Sequence, residues 1–319
     1  LSGQLRIDTP PVCGYPDPPA RPEVNIMTTL NLIGCGAAGR TLGRLMHEAR
    51  LCEVRDILAR SRAGAADGAR FIGAGRPVTD YGELRPAELY LIAVPDDAIA
   101  GCAELLAASG RLGAGSVVCH LSGALASSVL SPVAAVGARV ASLHPVRSFA
   151  DPPRAAAEFP GTWCGVEGDP EALVLVEALF GALGARFFPI DPAFKSVYHA
   201  GAVLACNYLT VLVELGLRAF GRAGVEPEVA RQVLEPLVSG TVENIFRMGT
   251  AGALSGPIAR ADLGTVTHQL AALEKWDPAV AGLYRQLGLV ALELAGQKGS
   301  AAPEQLSRLG ELLGRQEKM

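Results

Sequence analysis

Gly34-Cys35-Gly36-Ala37-Ala38-Gly39 sets three glycines at the spacing G-x-G-x-x-G, directly after the apolar run Leu30–Ile33 and at the start of a helical pattern from Gly39 to Ala49. That spacing suits the pyrophosphate of a dinucleotide. The first glycine permits a tight turn, the second lets the backbone approach the phosphates, and the third allows a helix to pack closely on a strand. The free N–H groups of the helix start then face the anion. The next strand candidate, Val54 to Ala59, runs into Arg60-Ser61-Arg62 and lacks the acid that usually takes a ribose 2′-hydroxyl. Arg60, Ser61 and Arg62 can instead bind a 2′-phosphate through charge-assisted hydrogen bonds of about 1.5–3 kcal/mol each. One such contact exceeds the ~1.4 kcal/mol of a tenfold preference. The expected cofactor is therefore NADP (NADPH). Asp56 lies earlier in the strand and is not assigned to the ribose.

In open α/β sheets ligands bind beyond the carboxyl ends of the strands, so each strand end is a candidate. Val94-Pro95-Asp96-Asp97 follows one strand. The backbone of Val94 and Pro95 can line a nicotinamide pocket, and one aspartate is expected to cap the next helix. His120-Leu121-Ser122-Gly123 follows another, where Ser122 and the Gly123 backbone can hydrogen-bond a substrate carboxylate. His144-Pro145 ends a third, and His144 reads either as an active-site group or as a satisfied structural histidine. Asp191-Pro192 reads as a helix start, which sets Lys195 near the end of the first turn. A cation there opposes the helix dipole, and both that and desolvation favour the neutral amine needed for acid–base work. His199 shares its face four residues on, and Asn207 lies further along a similar stripe of an otherwise apolar helix. The bland alternative is a snorkelling lysine beside a surface histidine. Asn244 and Arg260 sit in polar stretches among apolar helices. The guanidinium fork of Arg260 matches a carboxylate, and Asp262 reads as a cap for the helix after it.

These residues need a scaffold, and the pattern supplies one. Strand-like runs at Leu30–Ile33, Val54–Ala59, Leu89–Val94, Ser116–His120, Val140–His144 and Arg186–Ile190 alternate with helical stretches, Glu171–Leu183 among them. Such alternation predicts a mostly parallel, doubly wound sheet. From Asp191 onward helical patterns take over. The expected organisation is a Rossmann domain over 27–190 and an all-α domain over 191–319. Residues 1–26, rich in proline, read as a disordered leader or a start-site artefact.

Composition narrows the function classes. A net charge of −4 with 5% aromatic residues disfavours a nucleic-acid binder. Seven scattered cysteines without a C-x-x-C pair suggest reduced cytoplasmic thiols rather than disulfides or a zinc site, and no metal is expected. There is no uninterrupted apolar run of about 18 residues, so no membrane span is expected.

The chain resembles the two-domain oxidoreductases related to ketopantoate reductase, 6-phosphogluconate and β-hydroxyacid dehydrogenases, and pyrroline-5-carboxylate reductase. It is most similar to a Rossmann-like branch whose helical tail is a domain of unknown function. The resemblance spans Met27 to Gln297. It rests on Gly34–Gly39, Ala93-Val94-Pro95-Asp96-Asp97, His120-Leu121-Ser122-Gly123, His144-Pro145, Lys195 through His199, and Ser255-Gly256-Pro257 with Arg260. It implies a helical domain of the 6-phosphogluconate dehydrogenase-like type, a catalytic Lys195, substrate contacts at Ser122 and Gly123, and a homodimer formed through the helical domain. Those dehydrogenases carry asparagine four residues after the lysine, where this chain has His199.

The leading expectation is reduction of a small 2-oxo acid, ketopantoate first. Lys195 would supply the proton, oriented by His199 or Asn207, and Ser122 and Arg260 would hold the carboxylate. The rivals are an imine reductase of the pyrroline-5-carboxylate type and a non-catalytic NADP-binding sensor or scaffold.

Overall fold

The computed structural model describes residues 27–314, so the readings made of residues 1–26, Cys13 included, lie outside the described residues. The chain divides into two compact units, through Ala202 and from Val203.

The first unit is built on one eight-stranded sheet: β1 (Thr28–Ile33), β2 (Cys52–Leu58), β3 (Arg76–Val78), β4 (Leu89–Ile92), β5 (Val117–His120), β6 (Arg139–Pro145), β7 (Trp163–Gly168) and β8 (Arg186–Pro189). Their order is β3-β2-β1-β4-β5-β6-β7-β8. All neighbours are parallel except β6 and β7. The order reverses between β1 and β4, and that switch point is where such sheets receive ligands. Every residue of β4 and β5 is buried. Continuous apolar runs without alternation fit strands covered on both faces. The covering helices are α1 (Ala37–Glu48), α2 (Arg62–Ile72), α3 (Asp96–Ala108), α4 (Ser131–Ala135), α5 (Pro152–Ala157) and α6 (Pro170–Ala182). One core cluster gathers Leu30, Leu42, Leu91 and Phe180 on one side of the sheet, and another gathers Ile33, Tyr90, Ile92 and Leu130 on the other. The unit closes with α7 (Lys195–Ala202).

Two strands, β3 and β7, have no counterpart in the sequence expectation. Within β7, Gly165, Glu167 and Gly168 interrupt the apolar run by which strands are recognised.

The second unit is helical: α8 (Tyr208–Arg222), α9 (Pro227–Ala253), α10 (Gly256–Ala259), α11 (Leu263–Trp276), α12 (Pro278–Lys298) and α13 (Pro303–Gly314). A π-helical turn, Val203–Asn207, leads into α8. Asp262 caps α11 by accepting from the Thr265 N–H at 3.0 Å, as its spacing suggested. The core of this unit is small, centred on Val266, Leu270, Leu309 and Leu313. Leu237 and Phe246 are exposed, the latter at 87%. The helical run Pro192–Arg222 is long and apolar enough to cross a membrane by length and composition, its most apolar stretch having a mean hydropathy of 1.6. The sequence expectation rested on an unbroken apolar run, which this segment does not contain. Lys195, His199, Asn207 and Glu214 interrupt it.

Of the described cysteines, Cys35, Cys52, Cys119 and Cys164 are buried like small hydrophobes, whereas Cys206 is exposed.

Candidate functional site

The glycine loop joins β1 to α1, and its three glycines have three different surroundings. Gly34 adopts φ +92°, and a Cβ there would lie 2.5 Å from the Ala93 carbonyl oxygen. Only glycine fits that turn. A Cβ on Gly39 would strike the Gly34 carbonyl and the Ala93 side chain, so its absence lets α1 seat against the strand. A Cβ on Gly36 would meet nothing within 4 Å. That open space lies at the N-terminus of α1, where Gly36 is the N-cap, no side chain caps the helix and the first turn carries no acid. Ala37 and Ala38 begin the helix there, with N–H groups of the kind a phosphate takes. Cys35 closes the loop from beneath, its thiol donating to the Gly64 carbonyl at 3.1 Å. These features fit a dinucleotide pyrophosphate.

Beyond β2, Arg60 and Arg62 are exposed. Ser61 caps α2, its Oγ accepting the Gly64 N–H at 3.1 Å. Its own proton stays available to an anion. Asp56 is fully buried and takes Arg76 at 2.9 Å and Arg85 at 3.0 Å. Burial alone would raise its pKa, but the hydrogen bonds from Arg76 and Arg85 hold it below the ordinary carboxylate range. It is a structural ion centre with no oxygen to spare for a ribose. Val94 lies against Gly34, and Pro95 is the exposed N-cap of α3.

The second group of candidates lies across the sheet. Directly paired residues of neighbouring strands share a face. Register therefore aligns Leu58, Ile33, Ile92, His120, Ser142 and Glu167 in one row, apolar in its first half and polar in its second. Two residues further along β6, a second row runs His144, Gly165, Phe188. Helix α7 lays Lys195, Tyr198 and His199 over these rows, the i, i+3, i+4 set of one helix face. Asp191 starts the segment as its position suggested, accepting the Ala193 N–H at 2.9 Å.

Lys195 is 1% exposed. Its ammonium donates to Ser142 Oγ and, at 2.9 Å, to Glu167 Oε1. The Glu167 carboxylate is held in turn by the backbone N–H and the hydroxyl of Ser127, both at 2.7 Å. Burial holds the Lys195 pKa below its ordinary range, against the pull of Glu167. Nothing in the sequence singled out Glu167, although a lone carboxylate inside Cys164-Gly165-Val166-Glu167 is the signal that could have done so. His120 is fully buried at the end of the same row, and its Nδ1 accepts the Ser122 N–H at 3.2 Å. Burial, with the Lys195 charge next, pushes its pKa down to about 4.

The second row is more open. His144 Nδ1 and Tyr198 Oη are 2.8 Å apart. The His144 ring stands edge-on to His199, with centroids 5.6 Å apart. Burial, and then the His199 and Lys195 charges, push the His144 pKa to about 4. Gly123 adjoins both histidines: a Cβ on it would lie 2.5 Å from His199 Nδ1 and 2.8 Å from His144 Nε2. His199 Nδ1 is buried without a hydrogen-bond partner. Tyr198 was not among the sequence candidates, because attention fell on the i+4 neighbour of Lys195 and not on i+3.

Ser122 is used within the loop. Its Oγ donates to Asp96 at 2.8 Å and accepts the Ala124 and Leu125 N–H groups at 3.1 and 2.9 Å. Neither Asp96 nor Asp97 makes the expected side-chain cap. Pro95 holds the cap position of α3, and Asp96 reaches across to Ser122 instead. In the second unit, Asn207 is exposed, Asn244 accepts from Arg247 at 2.5 Å, and Arg260 is exposed at the end of α10. The first unit thus brings together Lys195, His199, Gly123 and His144, whereas Asn207, Asn244 and Arg260 belong to the second unit.

A Rossmann-like domain model matches residues 18–145, and a model described as Domain of unknown function (DUF2520) matches residues 162–290. No curated protein matches the chain. Among solved structures, protein TM1727 from Thermotoga maritima is 28% identical, covers 85% of this chain and 99% of its own, and superposes with a TM-score of 0.67. A Bacteroides fragilis protein provisionally assigned as an NADP oxidoreductase is 20% identical, covers 83% of this chain and 98% of its own, with a TM-score of 0.66. Plasmodium falciparum pyrroline carboxylate reductase, solved with NADP bound, is 15% identical, covers 89% and 98%, and has a TM-score of 0.51. The chain combines a Rossmann-like domain with a DUF2520 region that begins at β7 and runs into the helical unit, and it shares the fold of nicotinamide-dependent oxidoreductases.

Proposed function

We propose that this chain is an NADPH-dependent oxidoreductase that reduces a small 2-oxo acid, with ketopantoate the favoured candidate. The observation that carries this reading is the open space at Gly36, set between a turn only glycine can make and a helix seated on glycine. The Gly36, Ala37 and Ala38 backbone would hold the pyrophosphate. Arg60, Ser61 and Arg62 would hold the 2′-phosphate, and Val94 and Pro95 would line the nicotinamide pocket. When bound, NADPH supplies the hydride. The polar surface at Gly123, His144 and His199 would receive the substrate, and Asn207, Asn244 and Arg260 are further candidates from the helical unit. Lys195, committed to Glu167, would act by fixing α7 on the sheet. The exposed apolar side chains of the helical unit suit a second copy of the chain, and we infer a cytoplasmic homodimer.

The commitment of Lys195 to an ion pair also favours a second reading, reduction of a cyclic imine, because a protonated imine needs less acid assistance than a ketone. The test is NADPH oxidation with ketopantoate, other 2-oxo acids and cyclic imines, with NADH in parallel. Turnover of 2-oxo acids with NADPH supports the first reading, turnover of imines alone the second. Bound NADPH without turnover of either class overturns both.

A further inference from the structure

The two polar rows under α7 are not equivalent. In the first, every acceptor of Glu167 and the ammonium of Lys195 are engaged and buried. In the second, two ring nitrogens lack a hydrogen bond and one hydroxyl keeps bonding capacity to spare. His199 Nδ1 has no partner. His144 Nε2 points at the bare face of Gly123. Tyr198 Oη has one recorded partner, the 2.8 Å contact to His144 Nδ1. Tyr198 is half-buried and held edge-on between two rings, His144 at 5.7 Å and Phe188 at 5.9 Å between centroids. Those contacts fix the direction of its hydroxyl through the stiffness of the phenol ring. Gly165 lies between His144 and Phe188 in the row beneath. At Gly123 a side chain would run into His144 and His199, so glycine lets the loop after β5 close over both imidazoles at the carboxyl ends of the strands, where these sheets bind substrates.

We propose that Tyr198, rather than Lys195, is the acid that protonates the reduced substrate, and that His144 returns the proton to it. This rests on the reductase reading above. As the carbonyl carbon accepts the hydride of NADPH, the C=O π pair moves onto oxygen. The Tyr198 O–H bond breaks and a new O–H bond forms on the substrate. The phenolate then takes the Nδ1 proton of His144 while Nε2 takes one proton from the solvent, and exchange of the ring proton with solvent restores the Nδ1–H tautomer. The sum is carbonyl plus NADPH plus one proton giving alcohol plus NADP⁺. The His144 tautomer with its proton on Nδ1 donates to Oη and leaves the phenolic proton free to point at the substrate. Burial holds the Tyr198 pKa above its ordinary range, so that proton is present at neutral pH.

The test is Tyr198→Phe, which keeps the ring and its packing. NADPH binding, followed by fluorescence, should be unchanged. The kcat should fall by about 100-fold or more, in the range that general acids contribute. The His144 Nδ1 resonance, read by nitrogen NMR without any cofactor, should shift as its partner is lost. A kcat equal to wild type, or an unmoved His144 resonance, overturns the proposal. A wild type that binds NADPH but turns over neither 2-oxo acids nor imines overturns the reductase reading and the acid role with it. Wild-type turnover matched by the variant overturns the acid role alone.

Discussion

The glycine loop and the buried polar row under α7 both depart from their apolar surroundings, and they use space in opposite ways. At Gly36 the chain withholds a side chain and leaves a void bordered by a helix N-terminus. At Lys195 it fills the space with an ion pair whose ligands are all supplied from within. The first arrangement has value only when something enters it, and the second only while nothing does. Open sites are therefore legible from what is missing, and closed ones from what is paired.

If that distinction holds, the closed region should respond most strongly to change. Lys195→Met leaves Glu167 buried with its cation gone and should cost about 3–5 kcal/mol in urea unfolding. A loss below about 1 kcal/mol would mean that the pair is not structural. Acid should act on the same region. The folded-state pKa of His120, about 4, lies below the ordinary value of 6.5. The unfolded chain therefore binds more protons between those values, and stability is full above pH 6.5 and falls as the pH drops towards 4. The loss from this one histidine should reach about 2–3 kcal/mol near pH 4.5. A flat profile over that interval would remove His120 from the closed group.

The open region should separate stability from binding. Gly34→Ala forces a side chain into a left-handed turn against a carbonyl, and it should lower stability by about 1–3 kcal/mol. Gly36→Ala, where φ is −63° and the space is free, should leave melting unchanged and weaken NADPH binding. Calorimetric titration beside thermal melts would show both, and equal effects of the two substitutions would dissolve the contrast. The smallest expected effect is that of Arg60→Ala, about tenfold in NADPH affinity or ~1.4 kcal/mol, with NADH affinity unmoved.

How legible each region was follows from the same contrast. The Gly34–Gly39 loop could be read because its three glycines answer to three local requirements, each fixed by spacing along the chain. β1, β4 and β5 could be read because strands covered on both faces are uniformly apolar. The partner of Lys195 could not, since Glu167 reaches it through β7, the strand that runs antiparallel to its neighbour β6 and is broken by glycines. Nothing local announces that Ser142 and Glu167 will stand side by side. The capping role assigned to the Asp96–Asp97 pair failed for a related reason: Ser122, distant in sequence, captures Asp96 first. Tyr198 is an intermediate case. Its place on the Lys195 face is local geometry, but its meaning depends on His144 in another element.

Gly165 has a consequence for how this sequence can drift. A Cβ on Gly165 would collide with the Ile190 side chain, which occupies the hollow that the glycine leaves in the middle of β7. Neither position is free to vary alone. A lineage that gained a side chain at 165 would have to shorten the one at 190 in the same step, or lose the seat on which Phe188 and, through it, Tyr198 rest. Across related chains the two positions should trade volume against each other, and that pairing is the historical trace that a packed hollow leaves in a family of sequences.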